Sequence, residues 1–111
     1  DGIIATNTTV ARDGLVTPKA NIDDIGAGGL SGGPLKARSL EVLERLRSRT
    51  KRDLCIISVG GVSTAKDVQR RLDAGATLLQ GYTAFIYEGP MWARSINRGL
   101  LALLRGDPRR H

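Results

Sequence analysis

The sequence predicts an α/β fold with buried parallel strands, and predicts that this chain carries only a portion of it. Three observations support this. Short runs at residues 2–7 (GIIATN), 54–61 (LCIISVGG) and 77–82 (TLLQGY) are apolar on both faces, as strands covered by helices must be. Segments of helical period lie between and after them, and right-handed crossovers of that kind build a parallel sheet or barrel. Three such strands neither close a barrel nor protect both edges of an open sheet, so the chain reads as a piece.

Each element has its own signal. The first strand is followed at 8–34 by a stretch of no sustained period, rich in glycine (Gly14, Gly26, Gly28, Gly29, Gly32, Gly33), and loops of that length in compact domains are usually functional. Ser39 is placed to cap a helix running to about Arg49, with Leu40, Leu43 and Leu46 inward. After the second strand, Ser63 or Thr64 caps a helix with Ala65, Val68 and Leu72 on one face, and Gly75 fits a left-handed C-terminal cap. Tyr87-Glu88-Gly89-Pro90 reads as a turn, and Pro90 opens a last helix with Ala93, Ile96, Leu100 and Leu103 toward the core.

Composition narrows the function classes. With 111 residues, 41% hydrophobic and 25% charged, the chain holds at most one modest globular unit and is neither disordered nor fibrous. No apolar run approaches the roughly 20 residues that span a bilayer. The chain opens at Asp1 without methionine or a signal-like segment, so the natural start is expected upstream. Cys55 has no second cysteine and no ligand spacing with His111, which gives a cytosolic, metal-free reading with Cys55 as a packed thiol. A net charge of +6 suits nucleic acid, acidic lipid or a phosphorylated ligand; 4% aromatic residues weigh against nucleic acid, which usually needs stacking platforms. Arg45, Arg49 and Arg52 recur opposite the leucine face and read as a solvated surface. Trp92 packs or lines a rim.

The chemistry gathers at the C-terminal ends of the strands, where α/β folds bind ligands. Thr6-Asn7-Thr8-Thr9 offers neutral donors and acceptors to a polar heterocycle or carboxylate, its plain alternative being a side-chain-bonded turn. Gly60-Gly61 before a capped helix lets backbone N–H groups approach an anion at the helix N-terminus, or is simply a tight turn. Gly81-Tyr82-Thr83 ends the third strand, and two such ends side by side suggest a phosphate cradle.

These residues also carry a resemblance. IATNTT at 4–9, GGLSG at 28–32 followed by Pro34-Leu35, VGGV at 59–62, AGA at 74–76 and YTAFIYEGP at 82–90 resemble, in order and across nearly the whole chain, the C-terminal part of the class II, quinone-linked dihydroorotate dehydrogenases. GGLSG is shared with class I enzymes and the double glycine with many phosphate-binding barrels; the other two long stretches are the specific ones. The resemblance implies about the last three βα units of a (βα)8 TIM barrel, with 1–105 in the FMN-binding barrel domain and 106–111 as a basic tail. It implies that Thr6, Gly32, Gly61, Tyr82 and Thr83 contact FMN, with Gly61 and the Tyr82-Thr83 backbone on the phosphate, and that Asn7 and Thr8 bind dihydroorotate or orotate. The activity implied is FMN-dependent oxidation of dihydroorotate to orotate in pyrimidine biosynthesis. The catalytic base, a serine, and a flavin-proximal lysine are expected upstream of Asp1; Ser31 and Ser58 match neither. Quinone is expected to meet an N-terminal region, with the parent protein peripheral on the cytoplasmic side of the cell membrane and no nucleic acid as partner. Gly81 departs from the bulkier apolar residue of the family pattern and is expected to loosen local packing. The alternatives are another FMN- or phosphate-binding barrel oxidoreductase, such as a dihydrouridine synthase, and a non-enzymatic basic module for RNA or lipid.

Overall fold

Alternation along the central strand decides which side of the sheet is covered. A computed structural model describes residues 1–106. Their order is β1 (Gly2–Ala5), α1 (Lys19–Ile25), a 3-10 turn (Gly33–Leu35), α2 (Lys36–Arg49), β2 (Cys55–Val59), α3 (Ala65–Asp73), β3 (Leu78–Gln80), α4 (Thr83–Glu88) and α5 (Trp92–Gly106). The strands form one parallel sheet in the order β1-β2-β3. On β2, Ile56 and Ser58 are buried, and Ile56 packs with Leu43 of α2 and Ala76, flanked by Leu40, Leu46 and Leu79. On the other face Ile4, Ile57 and Leu78 stand in one row across the three strands. Ile4 is 63% and Leu78 57% exposed, so this row is an apolar surface without its partner layer.

A second cluster joins α3 to α5: Val62, Val68 and Trp92 are buried, with Leu72, Ile96 and Leu100 against them. The Trp92 indole N–H donates to the Ser63 carbonyl at 3.1 Å. A Cβ on Gly81 would collide with the Trp92 ring. The expectation of loose packing there is therefore corrected, because the missing side chain makes room for the indole.

Helix α3 is fixed at both ends by its own sequence. Thr64 accepts from the Asp67 N–H at 3.2 Å while the Asp67 carboxylate accepts from the Thr64 N–H at 3.0 Å, a reciprocal capping box. At the other end Gly75 takes φ 106°, its N–H bonds to the Leu72 carbonyl and the Ala76 N–H to that of Arg71, which is the Schellman pattern. Burial pushes the Asp67 carboxyl up, but the Lys36 ammonium at 3.0 Å and the N–H groups of Thr64 and Ser63 outweigh that and lower its pKa from 3.8 to about 2.

Helix α2 starts earlier than the sequence suggests. Pro34 and the Leu35 N–H to Gly32 carbonyl bond of the 3-10 turn begin it, so Ser39 lies inside the helix, buried, rather than at its cap. Arg47 of α2 donates to the Gly75, Lys51 and Leu54 carbonyls, tying the lower ends of α2, β2 and the α3–β3 turn together. Residues 83–88 form α4, where the sequence suggests only a turn at 87–90; Gly89, at φ 87°, ends it before α5. The stretch 8–34 is likewise more ordered than its lack of period implies. Thr9 and Leu30 form an antiparallel bridge, and Arg12 donates to the Gly28 carbonyl at 2.6 Å. Helix α1 within it buries no residue, and the radius of gyration, 15.6 Å, exceeds the roughly 13 Å of a compact domain of about 100 residues. Of the expected basic tail, Gly106 ends α5 and 107–111 lie outside the described residues.

Two outcomes follow from this packing. Gly81→Val drives Cβ and its methyls into the Trp92 ring and lowers stability by about 1–3 kcal/mol, read as a drop in thermal midpoint and a red-shifted tryptophan emission. The Asp67 carboxyl is depressed on folding, so its contribution is complete above pH 3.8 and disappears as pH falls toward 2. Asp67→Asn should therefore cost α3 about 2 kcal/mol of hydrogen-exchange protection at pH 6 and almost nothing near pH 2; an equal loss at both pH values would exclude this assignment.

Candidate functional site

Beyond their last paired residues, the three strands run on into polar or glycine-rich ends, and these ends meet the returning arm of the 8–34 stretch around a cavity of about 440 Å³. That size suits a small molecule or cofactor. Its wall includes Thr6, Asn7, Thr8, Gly32, Gly61, Tyr82 and Thr83, so every site residue expected from the sequence lies on one cavity. Glu88 is the one charged side chain among the lining residues.

Thr6 follows a cis Ala5–Thr6 peptide, and its N–H donates to the Val59 carbonyl at 2.8 Å, fastening the end of β1 to β2. The Asn7 side-chain oxygen accepts from the Thr8 N–H at 2.8 Å. The turn engages only the acceptor, where the sequence offers both, and the Asn7 amide N–H groups remain to donate. Across the cavity, the Ser31 and Thr83 hydroxyls are 2.8 Å apart, and a Cβ on Gly32 would come within 3.0 Å of Thr83 Cγ2. Gly32 thus lets the arm close onto the start of α4.

The double glycine also answers a packing demand. Gly61 has φ 71°, and a Cβ there would lie 2.5 Å from the Lys36 nitrogen and 2.6 Å from its Cα. The missing side chain clears space for the start of α2. Just before α3, the Asp67 carboxylate already accepts from the Ser63 N–H at 3.2 Å and from the Thr64 N–H at 3.0 Å. On the cavity wall, the backbone N–H groups of Gly61, Tyr82 and Thr83 have no acceptor among the described residues.

The wall behind Gly60 is the part that sequence reading misses. Arg71, 2% exposed, donates to the Gly60 carbonyl at 2.8 Å, to the Ser39 and Ser58 hydroxyls at 2.7 Å each and to the Lys36 carbonyl at 3.2 Å. Burial pulls its pKa down and Asp67 opposes that; the guanidinium stays charged. An available signal was Asp67 and Arg71 at i,i+4 beside the apolar Val68 and Leu72, an ion-pair spacing turned inward. Ser58 is fully buried on the helix side, and Cys55 is half-buried at the opposite end of β2 from the cavity. Arg45 pairs with Glu41 on the outer face of α2. Among the described residues no cluster of three or more potential metal ligands occurs, and no helix is long and apolar enough to cross a membrane.

Comparisons with known proteins agree with this arrangement. The family model for dihydroorotate dehydrogenase matches residues 1–104. The dihydroorotate dehydrogenase (quinone) of Leifsonia xyli is 70% identical over 102 residues, covering 92% of this chain and 30% of that protein. The protein of the same name from Pseudarthrobacter chlorophenolicus is 68% identical over 100 residues, covering 90% of this chain and 28% of that protein. A crystal structure of ligand-free dihydroorotate dehydrogenase from Eimeria tenella superposes with a TM-score of 0.84 at 38% identity, covering 95% of this chain and 28% of that one. The chain thus spans about 30% of the length of the curated relatives it matches. The three-stranded sheet is part of a TIM barrel, with Ile4, Ile57 and Leu78 on its interior face, and the chain belongs to the dihydroorotate dehydrogenase family.

Proposed function

We propose that these residues supply the flavin-phosphate cradle and one substrate edge of a quinone-linked dihydroorotate dehydrogenase. The observation that carries the reading is the convergence of all seven expected residues, from three strand ends and a distant loop, on a single cavity. FMN fits the donor set: a closely approached glycine arm at Gly32, three uncommitted backbone N–H groups, and polar side chains at the end of β1. When bound, FMN supplies the acceptor for the hydride from C6 of dihydroorotate, a proton leaves C5, and a quinone afterwards takes the electrons.

The residues of this chain bind and orient. Gly61, Tyr82 and Thr83 hold the phosphate through their N–H groups, while Thr6 and Gly32 contact the rest of the cofactor. Asn7 donates to an oxygen on the substrate edge, with Thr8 beside it. Proton abstraction belongs to a serine outside these residues. The quinone, and the cytoplasmic face of the membrane that holds it, are likewise met elsewhere in the parent protein.

Two experiments test this. In the Leifsonia xyli relative with these residues replacing its matching segment, Asn7→Ala should lower dihydroorotate turnover by the equivalent of about 1–3 kcal/mol and leave bound FMN intact. Loss of flavin in step with activity would remove Asn7 from the substrate edge. The 111-residue chain alone should show no quinone-linked turnover and should self-associate through the apolar Ile4, Ile57 and Leu78 row, exposed at Ile4 and Leu78, and its open sheet edges. Stoichiometric tight FMN binding with turnover by a monomer would contradict this reading.

A further inference from the structure

The Gly60–Gly61 peptide carries two groups with opposite roles. Its carbonyl accepts from the Ser39 hydroxyl at 2.7 Å and from the Arg71 guanidinium at 2.8 Å, both on the helix side of the sheet. Its N–H belongs to Gly61, on the cavity wall, and finds no acceptor among the described residues. The peptide is trans, so C=O and N–H point in opposite directions across one rigid plane. Fixing the carbonyl from behind therefore fixes the direction of the N–H.

We propose that Arg71 is the positioning residue of the anion cradle, holding the Gly60–Gly61 peptide so that the Gly61 N–H presents itself to a phosphate, with Ser39 as its partner in that hold. Arg71 is not among the residues lining the cavity. It acts through one peptide in two ways. Two donors on the carbonyl remove the rotational freedom that two consecutive glycines would otherwise allow. A charge-assisted bond to the carbonyl also polarises the amide and strengthens its N–H as a donor. Arg71 is itself held, since its other contacts, Ser58 and the Lys36 carbonyl, lie on β2 and at the start of α2, and Asp67 stands one turn earlier on α3 with Lys36 across it. Lysine is a poor replacement because a single ammonium does not span these four acceptors.

The inference rests on the reading of the cavity as a flavin-phosphate site, and the test separates the two. FMN and riboflavin share the ring system and differ by the phosphate, so the ratio of their affinities reports the cradle alone. In the Leifsonia xyli graft, each flavin is titrated by fluorescence quenching against the unsubstituted protein, Arg71→Met, Arg71→Lys and Ser39→Ala. The preference for FMN should fall about tenfold in Arg71→Met and about threefold in Ser39→Ala, with Arg71→Lys between them and riboflavin affinity changed by less than about twofold. A parallel loss of both flavins would overturn the proposal, because it would mark Arg71 as a general support of the fold. An unchanged preference would overturn it too. If Arg71→Met does not fold, Ser39→Ala decides, since it removes one donor and leaves the guanidinium in place. Equal affinity of the unsubstituted protein for FMN and riboflavin would instead remove the phosphate reading, and this inference with it.

Discussion

The site depends on one buried cation. Arg71 connects α3, on which it sits, to β2 through Ser58, to α2 through Ser39 and the Lys36 carbonyl, and to the strand end through Gly60. A guanidinium taken out of water is tolerable only if its donors are met and a counter-charge lies near, and here four acceptors and Asp67 fill those needs. The same contacts tie the last turn of α3 to the start of α2 and the end of β2, as Arg47 ties the lower ends from the other side. Between these two clamps the apolar cluster of Leu43, Ile56 and Ala76 needs little more than close packing.

The covered and uncovered faces of the sheet divide the labour. Apolar burial on the helix side supplies cohesion, and the strand ends are left free to carry polar groups that would be costly inside. The exposed row on the other face is ordinary for one sector of a barrel, whose interior layer is completed by side chains from other strands. The arm 8–34 joins the two roles. It is stitched to itself by the Thr9–Leu30 bridge and by Arg12, and to the start of α4 by Ser31 and Thr83, so it reaches the cavity as a defined wall.

Much of this was legible in the residues because local signals and global pattern agreed. The three strands, the Thr64 cap, Gly75 and the leucine face of α2 each follow from periodicity or capping chemistry that needs no distant partner. The strand-end residues of the cavity were legible from where α/β folds bind ligands, whereas Gly32 and the division between cofactor and substrate came only through resemblance, because the loop joins the strand ends by a topology that spacing does not encode. Ser39 was misread, and the packing contact of Gly61 went unseen, for a shared reason: each touches an element far away in sequence, Ser39 the Gly60 carbonyl and Gly61 the backbone of Lys36. Helix α4 escaped notice because TAFIYE, rich in aromatic and β-branched residues, has neither helical propensity nor a full period. Gly81 shows the same limit, since its meaning lies in the size of Trp92, eleven positions on.

That contact makes the chain self-reporting. Trp92 is the only tryptophan, its indole is buried against Gly81, and its ring nitrogen is bonded to the Ser63 carbonyl. Ser63 and Gly81 are themselves cavity-wall residues on two different strand ends, so one chromophore is wedged directly behind the site and touches both. Its emission is therefore an intrinsic gauge of how closely the ends of β2 and β3 stand together, free of background from any other indole and requiring no label.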